Sequence, residues 1–127
     1  MKYLLDTHIL LWGFDNEEKL SEMAVRIIRD PGHTKYASIA SSWELAIKIS
    51  KGSLVFDGGV NRFLELIDES GLVLLPIKRK HVKMIEILPH LHGDPFDRIL
   101  IASAISEGMR LITADENIHK YDVPWIW

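Results

Sequence analysis

Four acidic residues are placed where they could do chemistry together. Asp6 directly follows the short apolar segment Tyr3-Leu4-Leu5, and Asp115 comes just after Leu111-Ile112-Thr113. Glu44 falls in the first turn of a helix that follows Tyr36-Ala37-Ser38-Ile39, and Asp97 in the first turn of a helix opened by Asp94-Pro95. Carboxylates gathered in one place repel one another, which raises some of their pKa values unless a cation neutralises them. Hard oxygen donors in a chain with no cysteine suit Mg²⁺ or Mn²⁺, one or two ions, and leave no thiolate zinc or iron–sulfur site. Such ions activate water and stabilise the charge of an in-line phosphoryl transition state, so phosphodiester hydrolysis is the natural chemistry for the set.

The acids converge only if the elements around them bring them to one edge. Tyr3–Leu5, Tyr36–Ile39, Leu72–Leu75 and Leu111–Thr113 read as buried strands, and Val123–Trp127 as a fifth. Between them lie helical patterns. Leu20, Met23, Ala24, Ile27 and Ile28 share one helical face, with Ser21 as a cap. Ser41 with Glu44 matches a capping box, opening a helix that runs to about Lys51. Val60, Phe63, Leu64 and Ile67 mark another stripe, Lys78–Leu88 is amphipathic, and Pro95 stands at a favoured first helical position in a helix ending near Gly108. Continuously apolar strands alternating with helices indicate a mainly parallel sheet of four to five strands in a three-layer α/β/α sandwich. In such a sheet the carboxyl ends of strands and the amino ends of following helices share an edge, where ligands bind at the point of strand-order reversal. All four acids point to that edge.

Each acid also has a plain structural use. Glu44 fits its capping box and an i, i+4 pair with Lys48, Asp94 reads as an N-cap with Asp97 as a reciprocal partner, and Asp6 and Asp115 fit loop or cap positions. Independent caps need not fall on one edge, and the joint pattern favours a site.

These residues, in these places, resemble the PIN-domain family, and within it the VapC-type ribonuclease toxins of toxin–antitoxin pairs. The matching pieces are LLDTHILLW (4–12), ASSWELAIKISKG (40–52), HGDPFDRILIASAISEG (92–108) and LITADENI (111–118), which sample the whole chain in family order. The resemblance implies a Mg²⁺- or Mn²⁺-dependent endoribonuclease that leaves a 5′-phosphate and a 3′-hydroxyl. It makes Asp6 and Asp97 the principal metal ligands, Glu44 the second acid of the quartet and Asp115 the fourth. Thr7 and Thr113 take positions where the family places hydroxyls beside the acids. Asp94, most readily an N-cap, and Arg98, next to Asp97, are supporting candidates from their places in the sequence. His8 stands where many relatives carry Asn. The resemblance also implies an RNA substrate, a cognate antitoxin seated in an apolar groove near Trp12, and a homodimer.

The rest of the composition bounds the answer. The chain has 127 residues, 47% hydrophobic and 26% charged, which fits one globular domain over 1–127 and opposes disorder. No apolar run approaches a membrane span, Asp6 and His8 interrupt the first apolar stretch, and a reducing cytoplasm suits the absence of cysteine. The formal charge of −3 lacks the basic footprint of a nucleic-acid binder, yet up to four of the 18 acids are assigned to the site, where bound cations would offset them. Lys78-Arg79-Lys80 with Lys83 reads as a solvated face with a phosphate-binding alternative, Arg98 as a substrate- or carboxylate-orienting residue, and Trp43 as core. His92 borders the cleft, whereas His33, His81 and His119 read as surface residues. Other classes fit less well. A phosphate-accepting regulatory module needs an Asp at the end of the third strand, and Leu75-Pro76-Ile77 has none; a D-x-D-x-T phosphatase is excluded by Asp6-Thr7-His8-Ile9. A PIN-like nuclease working in RNA processing without an antitoxin, or a non-catalytic binding module, are the alternatives within the fold, the second opposed by the presence of all four acids.

Overall fold

Alternation along the first strand decides which core each side chain serves. β1 (Lys2–Leu5) turns Tyr3 and Leu5 to one face of the sheet and Leu4 to the other. α1 (Thr7–Asp15) follows at once, then a 3₁₀ turn over Glu17–Lys19 and α2 (Glu22–Arg29), whose first turn is capped by Ser21 accepting the Ala24 N–H at 3.1 Å. β2 (Thr34–Ser38) leads into α3 (Ile39–Ser50) and α4 (Gly59–Glu69). β3 (Val73–Leu75) precedes α5 (Arg79–Ile87) and α6 (Pro95–Glu107). β4 (Arg110–Ile112), α7 (Glu116–His119) and β5 (Trp125–Ile126) complete the chain. The computed structural model describes all 127 residues, and no helix is long and apolar enough to cross a membrane.

The five strands are all parallel, in the order β3-β2-β1-β4-β5. One core packs α1 to α4 on the sheet through Ile9, Leu10, Ala24, Ile27, Leu45, Phe63 and Ile67. Phe63 is fully buried, edge-to-face with both Phe14 and Phe56 at 5.6 Å. The second core lies on the opposite face, where α5 and α6 bring Leu88, Leu100, Ile101 and Ala104 against Leu4, Leu75 and Leu111. This is the expected three-layer α/β/α sandwich. The chain lays β2 and β3 on one side of β1 and then returns to lay β4 and β5 on the other. Strand order therefore reverses between β1 and β4, which makes the crevice beyond their carboxyl ends the place for a ligand.

α5 and α6 form an antiparallel hairpin. Glu107, in the last turn of α6, accepts Lys80 at 2.9 Å, Lys78 at 3.1 Å and the buried His81 at 2.8 Å, all from the start of α5. His81 Nδ1 accepts the Lys78 N–H at 3.1 Å, which leaves its Nε2 to donate to Glu107. Lys2 at the foot of β1 reaches the Glu107 carbonyl at 2.8 Å. The tail of α6 is thus pinned at the amino ends of the strands, and its head, with Asp97, at the carboxyl edge. Asp97 reaches that edge through the hairpin; α6 does not follow a strand directly. Gly108 ends α6 at φ +67°, a left-handed turn that favours glycine.

Several expectations are corrected here. α3 begins earlier than Ser41, because Ser38 is its cap and accepts the Ala40 N–H at 3.0 Å; the Ser41–Glu44 capping box does not form. The helical phase follows from that start: Ser41, Glu44 and Leu45 turn inward, and Trp43 is 57% exposed rather than core. His81 is fully buried rather than a surface residue. The basic run around it is a solvated face, as expected: Lys78 and Lys80 pair with Glu107 yet stay about half exposed, and Arg79 and Lys83 are exposed. His33 and His119 are half-buried, the first against Tyr3 and the second stacked 3.5 Å from Trp125.

Candidate active site

The crevice between β1 and β4 is built from the register of the two strands. Leu5 pairs with Ile112, so Asp6 and Thr113 leave the sheet side by side, and the Asp6 N–H donates to the Ile112 carbonyl at 3.0 Å. Asp6 stands at the N-cap position of α1, yet its carboxylate makes no cap bond. It accepts instead from the Thr113 hydroxyl at 2.8 Å, and Thr113 Oγ1 in turn accepts the Asp115 N–H at 3.1 Å. Asp6 is only 3% exposed. That burial pushes its pKa above the ordinary value, against the hydrogen bond from Thr113, the charge of His8 and the Thr7 backbone N–H; the Asp115 charge pushes the same way as burial.

Asp97 faces this pair from the head of α6. Asp94 caps that helix, accepting the Phe96 N–H at 2.9 Å and the Asp97 N–H at 3.2 Å, which frees the Asp97 side chain from capping. Its carboxylate takes a 3.1 Å contact from His92 Nε2 instead. Burial, followed by the charges of Asp94, Asp6 and Asp115, pushes Asp97 up to about 7, against the hydrogen bond from His92. Asp6, Asp97 and Asp115 therefore lie within electrostatic reach of one another. Glu44, 5% exposed, joins them through Lys48, which it holds at 2.9 Å; the charges of Asp94 and Asp97 also act on that ammonium and help hold its pKa up. Asp115 also caps α7 through the Asn117 N–H at 2.8 Å, so its structural use is realised alongside its place in the crevice.

The crevice opens into a cleft of about 260 Å³ lined by Asp6, His8, Trp12, Ala114 and Asp115. Trp12 also walls a neighbouring groove of about 320 Å³ with Leu11, Lys19, Leu54 and Val55, the last 92% exposed. Exposed Trp43 meets Phe96 edge-to-face at 5.2 Å, the two lying next in sequence to Glu44 and Asp97 respectively.

Two supporting assignments change. Arg98 does not reach the crevice. It is 6% exposed and donates to the Pro89 carbonyl at 2.7 Å, the Leu88 carbonyl at 3.1 Å and Tyr121 Oη at 2.9 Å. Its neighbour in sequence faces the site because successive helical residues turn by roughly 100°. The Thr7 hydroxyl bonds Ser41 at 2.8 Å and ties α1 to α3, so Thr7 serves Asp6 through its backbone N–H. Sequence reasoning gave Tyr121 no role, although it organises the loop carrying His92. A lone tyrosine in a chain segment far from Asp97 carries no pattern that could have revealed it.

No three carboxylate or imidazole side chains close into a finished ion cage. The carboxylates present nonetheless offer only oxygen, Asp6 and Glu44 are buried, and Asp6, Asp97 and Asp115 repel one another, which suits a hard divalent cation.

A fold with acids at this switch point defines a class. The model of the PIN domain matches residues 3–124, and the chain belongs to that family. Ribonuclease VapC22 of Mycobacterium tuberculosis (strain ATCC 25618 / H37Rv) is 28% identical over 133 residues, covering 95% of this chain and 92% of that protein. Among solved structures, VapBC2 from Rickettsia felis, bound to a DNA fragment from its promoter, superposes with a TM-score of 0.75 at 17% identity, covering 100% of this chain and 99% of that one. VapBC-1 from nontypeable Haemophilus influenzae gives 0.71 at 21% identity, covering 99% and 97%. At these identities the structures speak for the fold.

Proposed function

We propose that this chain is a divalent-metal-dependent endoribonuclease and the toxin of a toxin–antitoxin pair. The observation that carries the reading is the placement of Asp6, Asp97 and Asp115 together at the β1/β4 switch point, near enough for their charges to act on one another. The relative named a ribonuclease and the VapBC neighbours support the same activity and an antitoxin partner. Asp6 and Asp97 would hold Mg²⁺ or Mn²⁺, with Glu44 and Asp115 completing the donor set. When bound, the ion supplies a Lewis acid for phosphoryl oxygens and makes a nearby water more acidic. The protein's own part is to bury and aim the acids. Thr113 holds Asp6, His92 holds Asp97, and Lys48 holds Glu44. Exposed Trp43 with Phe96, next in sequence to Glu44 and Asp97, offers an aromatic face for an unpaired base of single-stranded RNA. The groove beside Trp12 adjoins the cleft, so a bound antitoxin segment would reach the acids. Exposed Val82 and Ile87 on α5 add apolar surface for a homodimer.

The test is cleavage of single-stranded RNA by the purified protein with EDTA, Mg²⁺ or Mn²⁺. Wild type cuts only with the ions, and Asp6→Asn and Asp97→Asn each lose at least a hundredfold in rate. Full cleavage by both variants would overturn the site.

A further inference from the structure

A chain of hydrogen bonds behind Asp97 has a direction that can be worked out by counting protons. Tyr121 Oη lies 2.9 Å from the Arg98 guanidinium, 3.2 Å from the His92 N–H and 3.3 Å from the Leu91 N–H. A phenolic oxygen has two lone pairs and one proton, and arginine and backbone N–H groups only donate. The acceptor side of Tyr121 is therefore fully used. Its fourth neighbour is His92 Nδ1 at 2.8 Å, and the only group left to bind it is the Tyr121 proton. His92 Nδ1 must accept, so the ring proton sits on Nε2, which faces Asp97 Oδ2 at 3.1 Å as a donor. The opposite tautomer would set four donors around one oxygen and a lone pair against a carboxylate.

We propose that His92 is a positioning residue for Asp97, held in the Nε2–H tautomer by Tyr121, which Arg98 in turn anchors to the Leu88 and Pro89 carbonyls. The proposal rests on the metal-site reading above. A carboxylate that binds a cation with one oxygen has to be aimed, and a donor fixed on the other does so without competing for the ion. His92 and Tyr121 are only 5.4 Å apart between ring centroids and nearly perpendicular at 71°, so the ring has little room to turn over. Partners of this outer kind change metal affinity or activity by about 10–100-fold when removed.

Two measurements test it. The first is the two-bond ¹H–¹⁵N spectrum of the His92 ring in ion-free protein at pH 8, where wild type shows Nε2 protonated and Tyr121→Phe shows the other tautomer or a mixture. Nδ1 protonated in wild type overturns the proposal. The second is calorimetric titration with Mg²⁺ alone, together with RNA cleavage kinetics, on His92→Ala and His92→Gln. The glutamine amide nitrogen falls near the position of Nε2. His92→Ala lowers Mg²⁺ affinity and kcat about 10–100-fold with KM little changed, and His92→Gln recovers most of the loss. Unchanged Mg²⁺ binding in His92→Ala, or a change confined to KM, overturns a positioning role. A wild type that binds no Mg²⁺ overturns the metal reading beneath the proposal, and the ring-nitrogen spectrum separates that failure from a wrong tautomer.

Discussion

Replacing Arg98 with methionine separates two roles that the sequence allowed for it. The guanidinium donates three hydrogen bonds, at 2.7, 2.9 and 3.1 Å, to two carbonyls and Tyr121. A hydrogen bond to a charged group contributes about 1.5–3 kcal/mol, and three on one side chain are not additive. Methionine of similar length removes a buried charge and fills much of the space, which returns part of the loss. The Pro89 carbonyl, on an exposed residue, regains water, whereas Leu88 is buried. The balance is a loss of about 3 kcal/mol, or a fall in Tm of roughly 10 °C for a chain of this size. Thermal unfolding by circular dichroism measures it, with urea titration as a check on ΔG. Cleavage should then be assayed well below the variant's Tm, where the loosened Leu88–Gly93 loop lowers the rate by weakening the hold on Asp97. If Arg98→Met keeps its Tm within about 2 °C yet loses cleavage, the guanidinium acts on substrate and the structural reasoning is wrong.

Asp97→Asn should stabilise the ion-free protein, because a carboxyl at about 7 against an ordinary 3.8 holds its proton more tightly folded than unfolded. The penalty grows as pH rises from about 3.8 to 7 and is complete above that, so the variant's gain of about 1–2 kcal/mol appears at pH 8 and vanishes near pH 3.5; equal Tm values at pH 8 would contradict it. Glu107 behaves oppositely. Its bond to Lys80, with His81 and Lys78, lowers it from 4.5 to about 2, so its contribution is present above pH 4.5 and lost as pH falls through 2. After solvent screening this is about 1 kcal/mol, so Glu107→Gln should melt a few degrees below wild type at pH 7, and the two should converge near pH 2 in differential scanning calorimetry. Trp43→Ala should cost under about 1 kcal/mol in urea unfolding, whereas its neighbour Leu45→Ala should cost about 2–5 kcal/mol, because only Leu45 leaves a cavity.

Much of this was legible in the sequence because apolar runs and caps are local signals. The strands, the Ser21 and Asp94 caps and the Gly108 stop all follow from neighbours within four residues, and the parallel sheet follows from their alternation with helices. The edge was legible too, since Asp6 and Asp115 come just after short apolar runs, bounded by polar residues, that read as strands. What escaped depends on long-range geometry. The phase of α3 turned on whether Ser38 or Ser41 capped it, two good candidates three residues apart, and Trp43 went with that choice. Arg98 and Asp97 are adjacent in sequence but separated by the helical turn, one facing Tyr121 and the other the crevice. His81 is buried only because Glu107, 26 residues away, supplies a partner.

The pinning of Glu107 gives α6 the character of a pointer. The helix is 13 residues long, roughly 20 Å at about 1.5 Å per residue, with its fixed end at the foot of the sheet and Asp97 near its tip. A tilt of about 3° about the fixed end would carry the tip sideways by about 1 Å, and a displacement of that size is enough to cost a reaction about a hundredfold. Part of the aim at the crevice is thus set at the opposite end of the molecule, by Lys2, Lys78, Lys80 and His81, in addition to the hold of His92 and Asp94 at the tip. On the proposed function, a substitution there would slow cleavage without altering any residue of the crevice itself.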